Sequence, residues 1–384
     1  MRHLLRLSAI GWSLASGAQP LIAQSPLFSP APAVAVPRGS GTILIADING
    51  DRHPDMLTRH LEPQIIALFL GDGRGGLTPA PTPVIRLSYA PSDMRLGDLD
   101  GDGRLDLAVT ESRRDVVDIM TGDARGGFAR AAGFPLTVTA ATDSFNKRTL
   151  QLVDLDGDGD LDVVTANGRR LNTFSTLIGD GRGRFRSGPV VHLDSARDGY
   201  SFAFADIDGD RHLDVVAATR TSFAERSAGR IVILRGNGRG IFSRAGVPMP
   251  TPPGPAQVAL EDMDGDSRPE ILLTHADGSV TIWANWGRGR FSAPSVAHRF
   301  SGPAYSLIVA DFDRDGWRDI AAATVTTVSV LLARGGRFIP APGSPYPAGP
   351  GAYYLTAADL DADGAPDLLS SSFEGDSVRI LRGR

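Results

Sequence analysis

The stretch Asp154-Leu155-Asp156-Gly157-Asp158-Gly159-Asp160-Leu161-Asp162 sets carboxylates at its positions 1, 3, 5 and 9, glycines at 4 and 6, and a leucine at 2. Carboxylates this close repel one another unless a cation lies among them. Hard oxygen donors at this density suit Ca²⁺, with side chains from positions 1, 3 and 5, a backbone carbonyl from 7 and a bidentate carboxylate from 9. The expected ligands here are Asp154, Asp156, Asp158 and Asp162.

Six further copies occur. Loop one offers Asp47, Asn49, Asp51 and Asp55, and loop two Asp98, Asp100, Asp102 and Asp106. With the stretch above as loop three, loop four offers Asp206, Asp208, Asp210 and Asp214, and loop five Asp262, Asp264, Asp266 and Glu270. Loop six offers Asp311, Asp313, Asp315 and Asp319, and loop seven Asp359, Asp361, Asp363 and Asp367. Up to seven structural Ca²⁺ ions are therefore expected. Successive first aspartates lie 51, 56, 52, 56, 49 and 48 residues apart. A period near fifty with several strands per unit is the mark of a β-propeller. These are not EF-hands, because Val109 and Thr165 stand where a twelfth-position Glu is needed and the flanks are strand-like. Short apolar runs such as Phe202-Ala-Phe-Ala before a loop and Val163-Val-Thr-Ala after one read as strands buried on both faces.

The acidic pattern at this period resembles the FG-GAP/VCBS repeats of integrin-α-like propellers. A second element supports the resemblance: Gly71-Asp-Gly-Arg-Gly-Gly-Leu77, Gly122-Asp-Ala-Arg-Gly-Gly-Phe128, Gly179-Asp-Gly-Arg-Gly-Arg-Phe185 and Gly236-Asn-Gly-Arg-Gly-Ile-Phe242, continued by Asn285 to Phe291 and Arg334 to Phe338. Glycines with positive φ suit tight hairpins, here the turn into each outer strand. The resemblance implies an all-β, seven-bladed propeller of four-stranded blades over residues 25–384. It says little about activity, because propellers host many functions.

Residues 1–24 read as a signal peptide, with Arg2 and Arg6 ahead of an apolar core and small residues near Ala18 to Ala23. The expected address is secreted, periplasmic or extracellular, with no membrane span. There is no cysteine, so no disulfide framework. The seventh unit stops where its outer strand should begin. Phe28-Ser-Pro-Ala-Pro and Val34-Ala-Val mimic the outer-strand pattern, so residues around 27–36 are expected beside Ser377–Leu381, closing the ring. The formal charge of −5 becomes about −7 without Arg2 and Arg6, and seven Ca²⁺ would bring it to about +7. A basic, arginine-rich surface with Lys147 as the only lysine follows, which codon usage also explains.

Gly103, Gly159, Gly316 and Gly364 hold the sixth loop position, whereas Arg52, Arg211 and Ser267 replace glycine there. Loops two, three, six and seven are therefore expected to bind more tightly than one, four and five. The metal loops and hairpins share one face. The other face is expected to expose Tyr89, Asp143-Ser-Phe145, Arg169-Arg170, Asp198-Gly-Tyr200, Phe223-Ala-Glu225, Tyr305, Tyr353 and Phe373, residues suited to sugars. Tyr200, Tyr305 and Tyr353 each stand six residues before a loop, which equally fits packing between blades. Of His53, His60, His192, His212, His275 and His298, none sits in a recognisable catalytic motif. The sequence thus points to a monomeric binding or adhesion module for a glycan or a cell-surface or extracellular protein, more readily than an enzyme. A lyase-like polysaccharide enzyme and a purely structural docking subunit are the alternatives. Nucleic-acid binding is not expected, since the basic residues are dispersed through turns.

Overall fold

The computed structural model describes residues 25–111, 116–123, 125–138, 149–166, 173–193, 198–220 and 228–384, with backbone alone at 83 and 198–200. Seven antiparallel sheets account for the strands, and no helix forms among the described residues. No helix there is long and apolar enough to cross a membrane.

Blade one shows the plan. An inner strand Ser40–Ala46 runs into the first acidic loop, the second strand is Asp55–His60, the third Ile65–Gly71, and the outer strand Leu77–Arg86. The second strands of all seven blades begin at the closing acid of their loop, from Asp55–His60 to Asp367–Ser372. Two-residue alternation explains their apolar continuity. In blade one Met56 turns to the interface with blade seven and Leu57 to that with blade two. Val163 and Val164 divide in the same way between blades two and four. A strand buried on both faces has no side to leave polar. The core is accordingly seven apolar clusters, one between each pair of neighbouring blades.

In five blades the outer strand is broken into two short pieces, as in Phe128–Arg130 and Leu136–Thr137 on the third strand of blade two. Blade seven takes its outer pieces from the other end of the chain: Ser29–Pro30 and Val34–Ala35 pair antiparallel with Ser377–Arg382. Phe28 beside them is 1% exposed, edge-on to Phe312 and Tyr346. Side chains also stitch the inner strands together. Thr42 Oγ1 of blade one donates to Asp93 Oδ1 of blade two at 3.0 Å, and Leu150 N of blade three donates to its Oδ2 at 3.0 Å. Gln257 and Leu307 exchange two such bonds between blades five and six.

Candidate metal centres

Each acidic loop folds around its own first carboxylate. In loop one Asp47 Oδ1 accepts from the backbone of Gly50 and Asp51 at 2.8 and 3.1 Å, and Oδ2 from Arg52 at 2.8 Å. Asp154, Asp311 and Asp359 likewise accept from residues four to six of their loops. This wrapping requires positive φ at both positions 4 and 6. At position 6 the angle is 70° for Arg52 and Arg211 and 66° for Ser267, so those loops keep the glycine geometry. At position 4 it is 60° for Arg314 and 58° for Ala362. Sequence reasoning assigned the strain to loops one, four and five alone. The structure corrects this: loops six and seven carry one strained side chain each as well, and only loops two and three have glycine at both places. A left-handed residue with a Cβ costs roughly 1–2 kcal/mol.

The closing acid of every loop is buried, between 0% and 2% exposed. Asp162 Oδ2 accepts from Leu155 N at 2.8 Å and Oδ1 from Gly179 N of the hairpin at 2.8 Å. The same two bonds hold Asp55, Asp106, Asp214, Glu270, Asp319 and Asp367. The hairpin must come close to make them. A Cβ on Gly179 would meet the carbonyl oxygen of Leu161 at 2.4 Å, and one on Gly71 that of Pro54 at 2.1 Å. These glycines serve backbone approach rather than positive φ. In blade five Asn285 takes the place, and its Nδ2 donates to Pro269 O at 3.1 Å. Burial pushes the carboxyls of Asp162, Asp214 and Asp319 up to about 6 and that of Glu270 to about 7, against the opposing pull of the two backbone donors. Asp55, Asp106 and Asp367 are raised for the same reason.

The carboxylates of each cluster converge, in some loops on the buried closing acid and in others on one another. In loops two, three and five, oxygens from positions 1, 3 and 9 lie within 4.8 Å of one another, and in loops four and six oxygens from positions 1, 3 and 5 do so. Asp156 Oδ1, Asp313 Oδ1 and Asp361 Oδ1, the third-position ligands of loops three, six and seven, are buried without any hydrogen-bond donor. A buried anionic oxygen without a partner is costly, and a cation is what satisfies it. The residues present therefore fit Ca²⁺, on the donor set and on these orphaned oxygens.

Among the arginines beside the loops that sequence reasoning missed, three recur near one place in the repeat. Arg334 pairs with Asp313 and Asp315, Arg382 with Asp367 and more distantly Asp361 at 3.8 Å, and Arg235 with Asp208 at 3.0 Å. All three stand within one residue of the hairpin position that bonds the closing acid, so superposing the repeats would have revealed them. Loops two and five instead fold their own Arg104 and Arg268 onto Asp102 and Asp266.

Tyr89, read as exposed, is 5% exposed, and its hydroxyl donates to buried Asp118 at 2.8 Å. Tyr305 and Tyr353 meet edge to face across blades six and seven, with centroids 4.9 Å apart, so they pack together. Phe373 is exposed at 40%. Residues 143–145, 169–170 and 223–225, the Tyr200 side chain and residues 1–24, where a signal peptide is expected, lie outside the described residues. His60 and His275 are buried against Thr58 and Thr281, and burial holds both imidazoles down to about 4. His53 is exposed and His212 half-buried.

The profile of the FG-GAP-like repeat matches residues 47–109, 154–217, 262–322 and 311–370. No curated protein matches the chain in sequence. Among solved structures, BBS1N in complex with ARL6DN is similar at TM-score 0.64 and 11% identity, covering 94% of this chain and 98% of that one. A lectin of Agrocybe aegerita, described as recognising non-reducing terminal N-acetylglucosamine, is similar at TM-score 0.57 and 15% identity, covering 88% and 87%. At such identities the likeness is one of fold.

Proposed function

Because the chain belongs to the FG-GAP-like repeat family, we propose that it is an exported binding module for a glycan or a surface protein, its ring held in shape by calcium. The observation that carries the calcium reading is the set of buried, donor-free oxygens on Asp156, Asp313 and Asp361. In each loop the acids at positions 1, 3, 5 and 9 would hold the ion, with Asn49 substituting in loop one. The ion supplies positive charge to a cluster that otherwise repels itself, so its role is structural. Each site filled at tenfold excess over its dissociation constant adds about 1.4 kcal/mol to the folded state.

The binding reading rests on the scaffold. Repeated blades present loops around a closed ring, and the two buried histidines are engaged with threonines rather than aimed into a cleft. The two structural neighbours support it in different ways, one being solved in complex with a protein and the other named for a terminal sugar. The leader at 1–24 favours export, where free calcium fills modest sites. The test is a glycan array probed with purified protein in millimolar calcium and in EDTA, with unfolding followed in parallel. Discrete calcium-dependent hits together with a calcium-raised Tm bear the reading out. An unchanged Tm removes calcium from it, and an absence of hits by folded protein removes the glycan.

A further inference from the structure

In blades two and three the residue before the loop's first aspartate lies against the eighth loop residue of the next blade, and the same two positions recur in every repeat. A Cβ on Gly97 would meet Leu161 Cδ1 at 2.7 Å, which fixes that neighbourhood for blades two and three. Around the ring the first of these positions holds Ala46, Gly97, Val153, Ala205, Ala310 or Ala358, and the second Pro54, Leu105, Leu161, Leu213, Pro269 or Pro366. Both are small or apolar six times out of seven. Between blades five and six both change together, to Glu261 and Arg318.

The exchange does not simply swap an apolar contact for an ion pair. Arg318 acts on the half-buried Glu261 carboxylate through its charge, yet neither side chain forms a hydrogen bond or close ion pair among the described residues. Next to Arg318, the seventh position of loop six carries Trp317, exposed at 50%. These three side chains line one open cleft of about 440 Å³ together with Asp262, Asp264 and Gly265 of loop five. A concave site with an aromatic wall and a few convergent polar groups is what small-ligand recognition uses.

We propose that this cleft is a saccharide subsite on the loop face, in which a neutral pyranose lies on the Trp317 indole while Glu261 accepts from, and Arg318 donates to, its hydroxyls. The proposal rests on the binding-module reading and gives it a place and a ligand class. The opposite charges of Glu261 and Arg318 offset each other, and loop five beside them has four acids, more charge than one Ca²⁺ offsets, so the local field disfavours uronic acids and other anionic sugars. An exposed indole offers the broad apolar surface that the C–H face of a pyranose needs.

The test uses three substitutions that restore what other blades already carry, and so leave the fold intact: Glu261→Ala, Trp317→Ala and Arg318→Leu. Trp286, exposed at 63% on a hairpin and not part of the cleft, supplies the control Trp286→Ala. An array of neutral hexose-terminated and uronate-terminated oligosaccharides is probed with each protein, and tryptophan fluorescence is followed on titrating the best neutral hit. Neutral sugars should bind the wild type and the control equally, and each cleft variant should lose at least tenfold in affinity. Full binding by all three cleft variants would overturn the subsite while leaving a glycan-binding propeller. A preference for uronates would overturn the ligand class, and no saccharide binding by folded wild type would end both readings.

Discussion

Asp162 Oδ1 accepts the amide hydrogen of Gly179 at 2.8 Å, and through this bond the acidic loop of blade three is tied to the hairpin seventeen residues further along the chain. The closing acid is therefore part of the fold whether or not a cation is present. Asp162→Ala leaves two buried amides without acceptors and should lower stability in EDTA by about 3 kcal/mol, read from urea unfolding. Asp156→Asn, which removes an unpartnered buried charge, should leave stability in EDTA unchanged or slightly raised and reduce the gain on adding calcium. Equal losses for both in EDTA would count against this division of roles.

Strain relief gives a second expectation. Ser267→Gly and Ala362→Gly should each raise stability by about 1 kcal/mol, because both positions already hold positive φ. Gly103→Ala, whose Cβ would meet nothing within 4 Å at φ 80°, should lower it by a similar amount. Chemical denaturation of the three variants checks the sign of each.

Protonation should expose the cation's contribution. The closing carboxyls are raised from the ordinary carboxylate range, to about 6 at Asp162, Asp214 and Asp319 and about 7 at Glu270. Between about pH 4 and 7 the folded state then holds more protons at these groups than the unfolded state, so their contribution is present at low pH and lost as pH rises. His60 and His275, depressed to about 4, act in the opposite direction across the same range. Their effect is common to both buffers and cancels in a difference. The Tm gap between calcium and EDTA should widen from pH 5 to 7.5, and a gap that narrows would contradict the assignment.

Arg334 spends its guanidinium on the outer oxygens of Asp313 and Asp315, leaving Asp313 Oδ1 bare. Positive charge there weakens the attraction of loop six for a divalent ion. Arg334→Leu should tighten calcium binding at that loop several-fold and lower stability in EDTA, as read by calorimetric titration and thermal unfolding. Weaker binding in the variant would mean that the arginine's main effect is to hold the carboxylates in place.

The paired ends of the chain predict a large effect from a residue far from any loop. Phe28→Ala empties a seat between Phe312 and Tyr346 and should cost about 3–5 kcal/mol. A loss under 1 kcal/mol would show that the first strand is a minor support.

The architecture was readable because the acids recur at a period that no other feature imposes, and because the second strands are apolar on both faces. What escaped reading lay in contacts between distant residues. Nothing local in Arg334 announces Asp313, and the left-handed angle at Ala362 follows from the wrapping of Asp359 rather than from alanine itself. Tyr89 looked exposed because its partner, Asp118, lies in the third strand of the same blade. Glu261 and Arg318 were visible as letters, but only superposed blades make them adjacent departures from one rule.

The contacts between loops and hairpins run one way round the molecule. Gly183 of blade three donates to Leu99 O in the loop of blade two, Gly240 of blade four to Leu155 O of blade three, and Asn285 of blade five to Ile207 O of blade four. At the seam the donor is on the other side, Arg382 of blade seven donating to Gly75 O of the first hairpin, but here too a hairpin rests on the blade before it. The ring thus behaves like a circle of clasps, each shut by its neighbour, with the last fastening onto the first. Loosening one should slacken the clasp before it more than the one after, so wear would travel around the circle in a single direction.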